Sequence, residues 1–195
     1  MSRSRAPRQE SPAAERFGVF AECLLTGVWI ALAALPVVTL PATVAAGAAH
    51  LRRHGAGERS TWREFTADLR AAARRGWLVG LAGTAALGVL WADLAVARAA
   101  LPGGPLIAAV VALCMLGVVV TGLRAAVSWR PGESWRALSA AAARRTVLDP
   151  AGSLTLVCGF AVVGVSAWFA APLAAPALGI VTGAALAVEE RRRRR

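Results

Sequence analysis

The sequence predicts an all-α, polytopic membrane helix bundle. It has about five membrane helices, the first broken at Pro36–Pro41, plus two interfacial amphipathic helices. Three observations predict this. Of the 195 residues, 57% are hydrophobic, and the mean hydropathy is +0.56. Four runs, Trp77–Ala97, Pro105–Leu123, Leu154–Ala170 and Pro172–Val188, are apolar over 17 to 21 residues, the length a bilayer crossing requires. A soluble alanine-rich bundle would need polar faces at helical spacing, and Ile107–Leu123 has none. Second, the apolar stretch Thr26–Ala49 is interrupted by Pro36 and Pro41. Third, the arginines stand beside the apolar runs rather than within them, as the positive-inside rule places them.

The chain divides into a disordered basic tail (1–16), a single membrane-embedded helical domain (17–188) and a basic cytoplasmic tail (189–195). The tail, Met1–Arg16, holds four arginines, two glutamates and two prolines and lacks the apolar content that ordering requires. It resembles a secretory signal only superficially: the apolar run after it is too long, carries Glu22 and is broken by Pro36. Phe17–Leu35 has 19 residues, about 28 Å as a helix, enough to cross the hydrocarbon. An interior proline removes a backbone hydrogen bond and clashes with the preceding turn, so a break is expected over Val37–Leu40. Pro41 suits the first position of a new helix. That helix offers only Ala42–Ala49 as apolar length, too little to span. It is expected to fold back toward the side of the N-terminus, covered by neighbouring helices.

His50–Gly76 carries seven arginines. Within it, Thr61 and Glu64 have the spacing of a capping box. Trp62, Phe65, Leu69 and Ala72–Ala73 recur at helical spacing, with charged residues between them, which predicts an amphipathic helix in the headgroup plane anchored by Trp62. Trp77–Ala97 is the next membrane helix, with Asp93 near its outer end and directed toward Arg98. Leu101–Pro105 is an uncharged turn, and Leu106–Leu123 a third membrane helix. Arg124–Pro150 repeats the earlier basic pattern. Ser134-Trp135-Arg136 and Ala141-Ala142-Ala143-Arg144-Arg145 parallel Thr61-Trp62-Arg63 and Ala71-Ala72-Ala73-Arg74-Arg75, which suggests a parallel internal repeat. Leu154–Ala170 and Pro172–Val188 form the last pair, joined by a turn at Ala171–Pro176. Both basic segments and the C-terminal arginines are expected on the cytoplasmic face.

The net charge is +11, and all 22 basic residues are arginine. Their placement beside apolar runs points to the lipid bilayer as partner and away from nucleic acid. The three cysteines, Cys23, Cys114 and Cys158, lie in apolar segments with no CxxC pair and read as small buried hydrophobes. His50 and His54 stand four residues apart with no acidic or cysteine neighbour in sequence, and read as a solvated or headgroup-facing pair. No GxSxG, HExxH, Walker loop or paired acids at useful spacing occur, so no catalytic, cofactor-binding or metal residue is assigned and the chain is not expected to be an enzyme. Two features remain as candidate sites. One is the break, with Pro36, Thr39 and Pro41. The other is the pair of membrane-embedded acids Glu22 and Asp93, each expected near an interface, Glu22 beside a helix N-terminus.

Trp29–Ala46, WIALAALPVVTLPATVAA, resembles the YesL-like family of bacterial integral membrane proteins, defined as a domain of unknown function. Pro36, Val37, Val38, Thr39, Pro41, Ala42 and Thr43 match its Pro-Val-Val-Thr-Ile-Gly-Pro-Ala-Thr signature. The glycine before the second proline is missing here, so the break is one residue tighter. Trp62-Arg63-Glu64-Phe65 with Arg74-Arg75-Gly76 is similar to the family's basic helix after the signature. The resemblance implies a multi-pass protein of the bacterial plasma membrane and an accessory role in carbohydrate uptake, with an ABC-type sugar transporter permease as candidate partner. The alternative is a small transporter or channel with a path near the broken helix. Few hydroxyls (Thr39, Thr84, Thr121, Ser166, Thr182) are available to line such a path.

Overall fold

The structure is a computed structural model and describes residues 12–34, 37–58, 61–99, 103–169 and 171–193. Seven helices follow one another: α1 Pro12–Ala33, α2 Leu40–Gly55, α3 Trp62–Ala97, α4 Gly104–Ser128, α5 Trp135–Leu148, α6 Pro150–Phe169 and α7 Ala171–Arg193. A short 3₁₀ turn, Val37–Thr39, lies between α1 and α2. Among the described residues there is no strand.

The helix begins earlier than expected, at Pro12, so Pro12–Arg16 of the expected disordered tail is helical. It stops at Ala33. Thr39 Oγ1 donates to the Ala33 carbonyl at 2.9 Å, which satisfies one of the acceptors a helix end leaves open. Pro41 falls in the first turn of α2, where its missing N–H removes no helical bond. Pro36 lies outside the described residues.

The hydrogen-bonded and packed pairs give the direction of α2. Gly47 faces Thr26 and Ile30, and His50 meets Glu22, so α2 runs back along α1. Val38 sits against Gly80 and Arg53 pairs with Asp68, so α2 is also antiparallel to the first half of α3. The approach at Gly80 is close enough that a Cβ would overlap the Val38 carbonyl. The fold-back is thus present, but its break lies opposite the fourth residue of α3's apolar run, at the edge of that run rather than in its middle.

α3 differs most from expectation. The amphipathic segment and the membrane helix are one continuous helix of 36 residues, about 54 Å long. Arg74 and Arg75 do not end it: charge changes the surroundings a helix prefers, and leaves its hydrogen bonding intact. The expected capping box is present, with the Thr61 N–H donating to Glu64 Oε2 at 2.8 Å. The second basic segment forms a separate helix, α5, which meets α6 at a bend of 102°. At the far end, α7 starts at Ala171 and runs through Pro176, in place of the expected turn at Ala171–Pro176. Helix continues through Glu189 to Arg193, and Glu189 is buried, so the residues after Val188 do not begin a tail there.

Among the described residues two helices, α3 and α4, are long and apolar enough to cross a membrane; the bent pair α5–α6 makes a third if counted as one span. Phe20–Ala33 is apolar but shorter. Ten consecutive residues of α2, Ala42–Leu51, are buried, and most are small. Large apolar side chains stand both inside, as Ile30, Phe65, Trp129 and Leu156 do, and outside: Val89, Trp91, Leu106, Leu113 and Trp168 are each more than 60% exposed. A contiguous apolar exterior of this kind does not suit water.

Candidate functional site

A charged cluster and a cleft meet where the chain ends of α2, α4 and α7 converge on the starts of α3 and α6. Arg52, in the last turn of α2, donates to the Val127 and Trp129 carbonyls at 2.7 and 2.8 Å. These are open acceptors at the C-terminus of α4, where a cation is favoured. Arg53 pairs with Asp68, and Arg145 with Glu189. Arg124 is 1% exposed and donates to Asp149 Oδ2 at 3.0 Å. Asp149 in turn accepts from the Gly152 N–H at 3.1 Å, the bond of an N-cap, and Pro150 takes the first helical position behind it. Removing one partner of such a buried pair leaves an uncompensated charge, so this cluster fixes how six helices, α2 through α7, meet.

The sequence-predicted residues separate. Glu22 is not a lone interfacial acid: its Oε1 accepts from His50 Nε2 at 2.5 Å. His50 is fully buried, which corrects the expected solvated histidine pair; its ring meets Trp29 edge-on at 4.9 Å. Trp29 also contacts Trp62 at 5.1 Å and Phe65 at 5.4 Å, so one aromatic cluster ties α1, α2 and α3 together. Asp93 is exposed on α3. It forms no ion pair with Arg98 and stands apart from Glu22, so the two acids share no site. Thr39 and Pro41 flank the start of α2, and Pro41 lines the cleft. Cys23, Cys114 and Cys158 are free, Cys114 and Cys158 being exposed rather than buried. Among the described residues no three His, Cys, Asp or Glu side chains converge on one point.

Sequence reasoning missed His50, Arg124 and Asp149 as structural centres. The one available signal was Arg124 itself, an arginine closing an apolar run; its partner lies 25 residues on, beyond any helical period.

The cleft has a volume of about 1040 Å³ and lies among α2 through α7. Its long walls are α3 and α4, from Arg75 and Ala126 at one end to Leu87 and Cys114 at the other. The α3 stretch of 13 residues, Arg75 to Leu87, rises about 18 Å. α5 closes the charged end. Trp135 packs on Gly76, where a Cβ would stand 3.1 Å from the indole, and its Nε1–H donates to the Ala72 carbonyl at 3.1 Å. The neighbours of these two residues, Arg75 and Arg136, both line the cleft. The hydroxyls on its walls are largely spent internally. Thr84 donates to the Gly80 carbonyl, Thr182 to that of Leu178, and Thr121 to Thr146 Oγ1. Ser139 Oγ is buried with no partner.

No protein-family model, curated protein or solved structure matches the chain.

Proposed function

We propose that this chain is a multi-pass protein of the bacterial plasma membrane, with no enzymatic reaction of its own, that serves as an accessory component of carbohydrate uptake. The observation that carries the membrane part is the large apolar side chains left exposed along α3 and α4, two helices long and apolar enough to cross a bilayer. Leu25, Val28 and Leu32 on α1, Val162 and Val165 on α6, and Ile180 on α7 extend the apolar exterior, which supports about five membrane helices. The charged cluster supports a cytoplasmic end formed by α2, α5 and the start of α3, since arginine-rich segments stay inside. The link to carbohydrate uptake, and an ABC-type permease as partner, rest on the YesL-like resemblance at Pro36–Thr43.

Three experiments test this in layers. The protein remains in the membrane pellet after a carbonate wash; release to the supernatant refutes the membrane reading. A cysteine placed at Gly57, an exposed turn position with φ +77°, stays unlabelled by an impermeant maleimide in intact cells; labelling refutes the orientation. Mild-detergent purification brings down a sugar-transporter permease; its absence removes the accessory role.

A second reading, a small transporter with its path beside the broken helix, is favoured by the cleft, which Leu40, Pro41 and Val44 of α2 border. Substrate flux in liposomes holding this protein alone would establish it.

A further inference from the structure

We propose that the cleft between α3, α4 and α5 is a binding site for one acidic phospholipid, with an acyl chain in the apolar shaft and the phosphate against Arg75 and Arg136. The proposal rests on the membrane reading alone and is independent of the link to carbohydrate uptake.

Four features carry it. The first is length. The shaft runs about 18 Å along α3, close to the ~15 Å of one leaflet's hydrocarbon, half of the ~30 Å core. It starts at the arginine end of α3's apolar run and points into that run, the direction an acyl chain takes below its headgroup.

The second is the chemistry of the walls. They are made by Leu78, Leu87, Val118, Phe160 and Val181, while the threonine hydroxyls among them already bond within the protein. A sugar would leave its own hydroxyls unpaired here, which is costly in an apolar setting. A hydrocarbon chain has none to satisfy.

The third is charge complementarity. The buried and half-buried arginines of the charged cluster, Arg52, Arg53, Arg124 and Arg145, each hold an acidic or carbonyl partner within the chain, although Nε and Nη1 of Arg124 are buried with no hydrogen-bond partner. Arg75 and Arg136, at the mouth, are exposed and have no partner among the described residues. Both residues border the cleft at the end that α5 closes, and their forked donors match a phosphate. Their chain neighbours, Gly76 and Trp135, are in contact. Ser139 Oγ, buried and unpartnered on the α5 wall, adds a donor near the same end.

The fourth is the glycines. Gly83, Gly117 and Gly122 line the shaft, and a Cβ on any of them would meet no heavy atom within 4 Å. They are therefore not needed for helix contact within the chain. Their lack of side chains leaves the shaft open.

The test is native mass spectrometry of the full chain, purified in detergent, stripped of lipid and titrated with phosphatidylglycerol or phosphatidylcholine of identical acyl chains. One phosphatidylglycerol is expected to bind at least tenfold more tightly than phosphatidylcholine. Arg75→Gln with Arg136→Gln should abolish that preference, while Arg70→Gln, an exposed arginine away from the cleft, leaves it intact. Gly83→Leu with Gly117→Leu should remove binding of both lipids with the thermal unfolding temperature retained. Equal binding of the two lipids overturns the proposal, as does a preference that survives the double arginine variant. Binding of a single-chain fatty acid as tightly as phosphatidylglycerol overturns the phospholipid assignment. If the glycine variant fails to fold, the arginine variant decides alone, because both arginines are exposed and unpartnered.

Discussion

Two regions of this chain open alike and end differently. α3 and α5 each begin after a hydroxyl residue, Thr61 or Ser134, with Trp-Arg. Each runs through a short alanine stretch, three residues in α3 and four in α5, to a pair of arginines and is followed by an apolar run. α3 continues straight into its apolar run for 36 residues; α5 stops, and α6 leaves at 102°. The residues at the two junctions account for the difference. After Arg74-Arg75 comes Gly76, which stays helical and accepts the Trp135 ring. After Arg144-Arg145 the chain reaches Asp149-Pro150, where Pro150 cannot continue the helix of α5 and Asp149 caps the new one. Arg124 then holds Asp149 in place from α4. Whether an amphipathic segment stands in line with the membrane helix after it or lies across its end is thus set at the junction, not by the segment's own pattern. The tryptophans follow suit: Trp62 is 47% exposed and Trp135 only 5%.

The largest effect should come from breaking the bent junction. Asp149→Ala removes both the cap and the counter-charge of buried Arg124, and should destabilise the protein by about 3–5 kcal/mol. Asp149→Asn keeps a capping oxygen and should lose less. Thermal unfolding in detergent ranks the two, and equal losses would show that the charge, rather than the cap, dominates. Next, Gly76→Leu drives a side chain into the Trp135 indole and should cost about 1–3 kcal/mol by overpacking. A red shift in tryptophan emission should accompany it as Trp135 leaves its site; unchanged emission and stability would mean that α5 does not depend on this contact. On the straight side, Glu64→Ala removes the bond to the Thr61 N–H and should cost about 1 kcal/mol, the usual value of a cap. Smallest of all, Asp93→Asn on the outer part of α3 should leave the unfolding temperature unchanged, since the residue is exposed and pairs with nothing described. A clear drop would reveal a partner for it.

Much of the fold was legible because it is written in local chemistry. The prolines announced the break, Thr61 and Glu64 the start of α3, and the apolar runs the helices α3, α4 and α6. What could not be read depends on residues far apart in sequence. The Glu22–His50, Arg53–Asp68 and Arg124–Asp149 pairs join separate elements, and helical periodicity carries no trace of them. The continuity of α3 was missed for another reason: a change from charged to apolar composition marks a change of surroundings, and a helix crosses such a boundary without a break. Pro176 misled in the same way, since α7 passes through it. The cleft was illegible as a whole. Arg75 and Arg136 are 61 positions apart in sequence, and only the fold brings both to the wall of one cleft.

The uninterrupted α3 also has a mechanical meaning. It contains no proline, and sharp kinks in helices need proline or a comparable defect, so it has no proline hinge along its length. Its backbone is gripped near its middle, by Trp135 at Gly76 and by Val38 at Gly80. From that fulcrum the arms extend about 24 Å to Trp62 and about 29 Å to Ala97. The outer arm has little to hold it within the chain: Leu94 and Ala97 are its buried residues beyond Gly80. Asp68, which Arg53 holds, lies about 15 Å from that fulcrum, so a tilt of a straight α3 about it would carry Ala97 about twice as far as Asp68 and in the opposite direction.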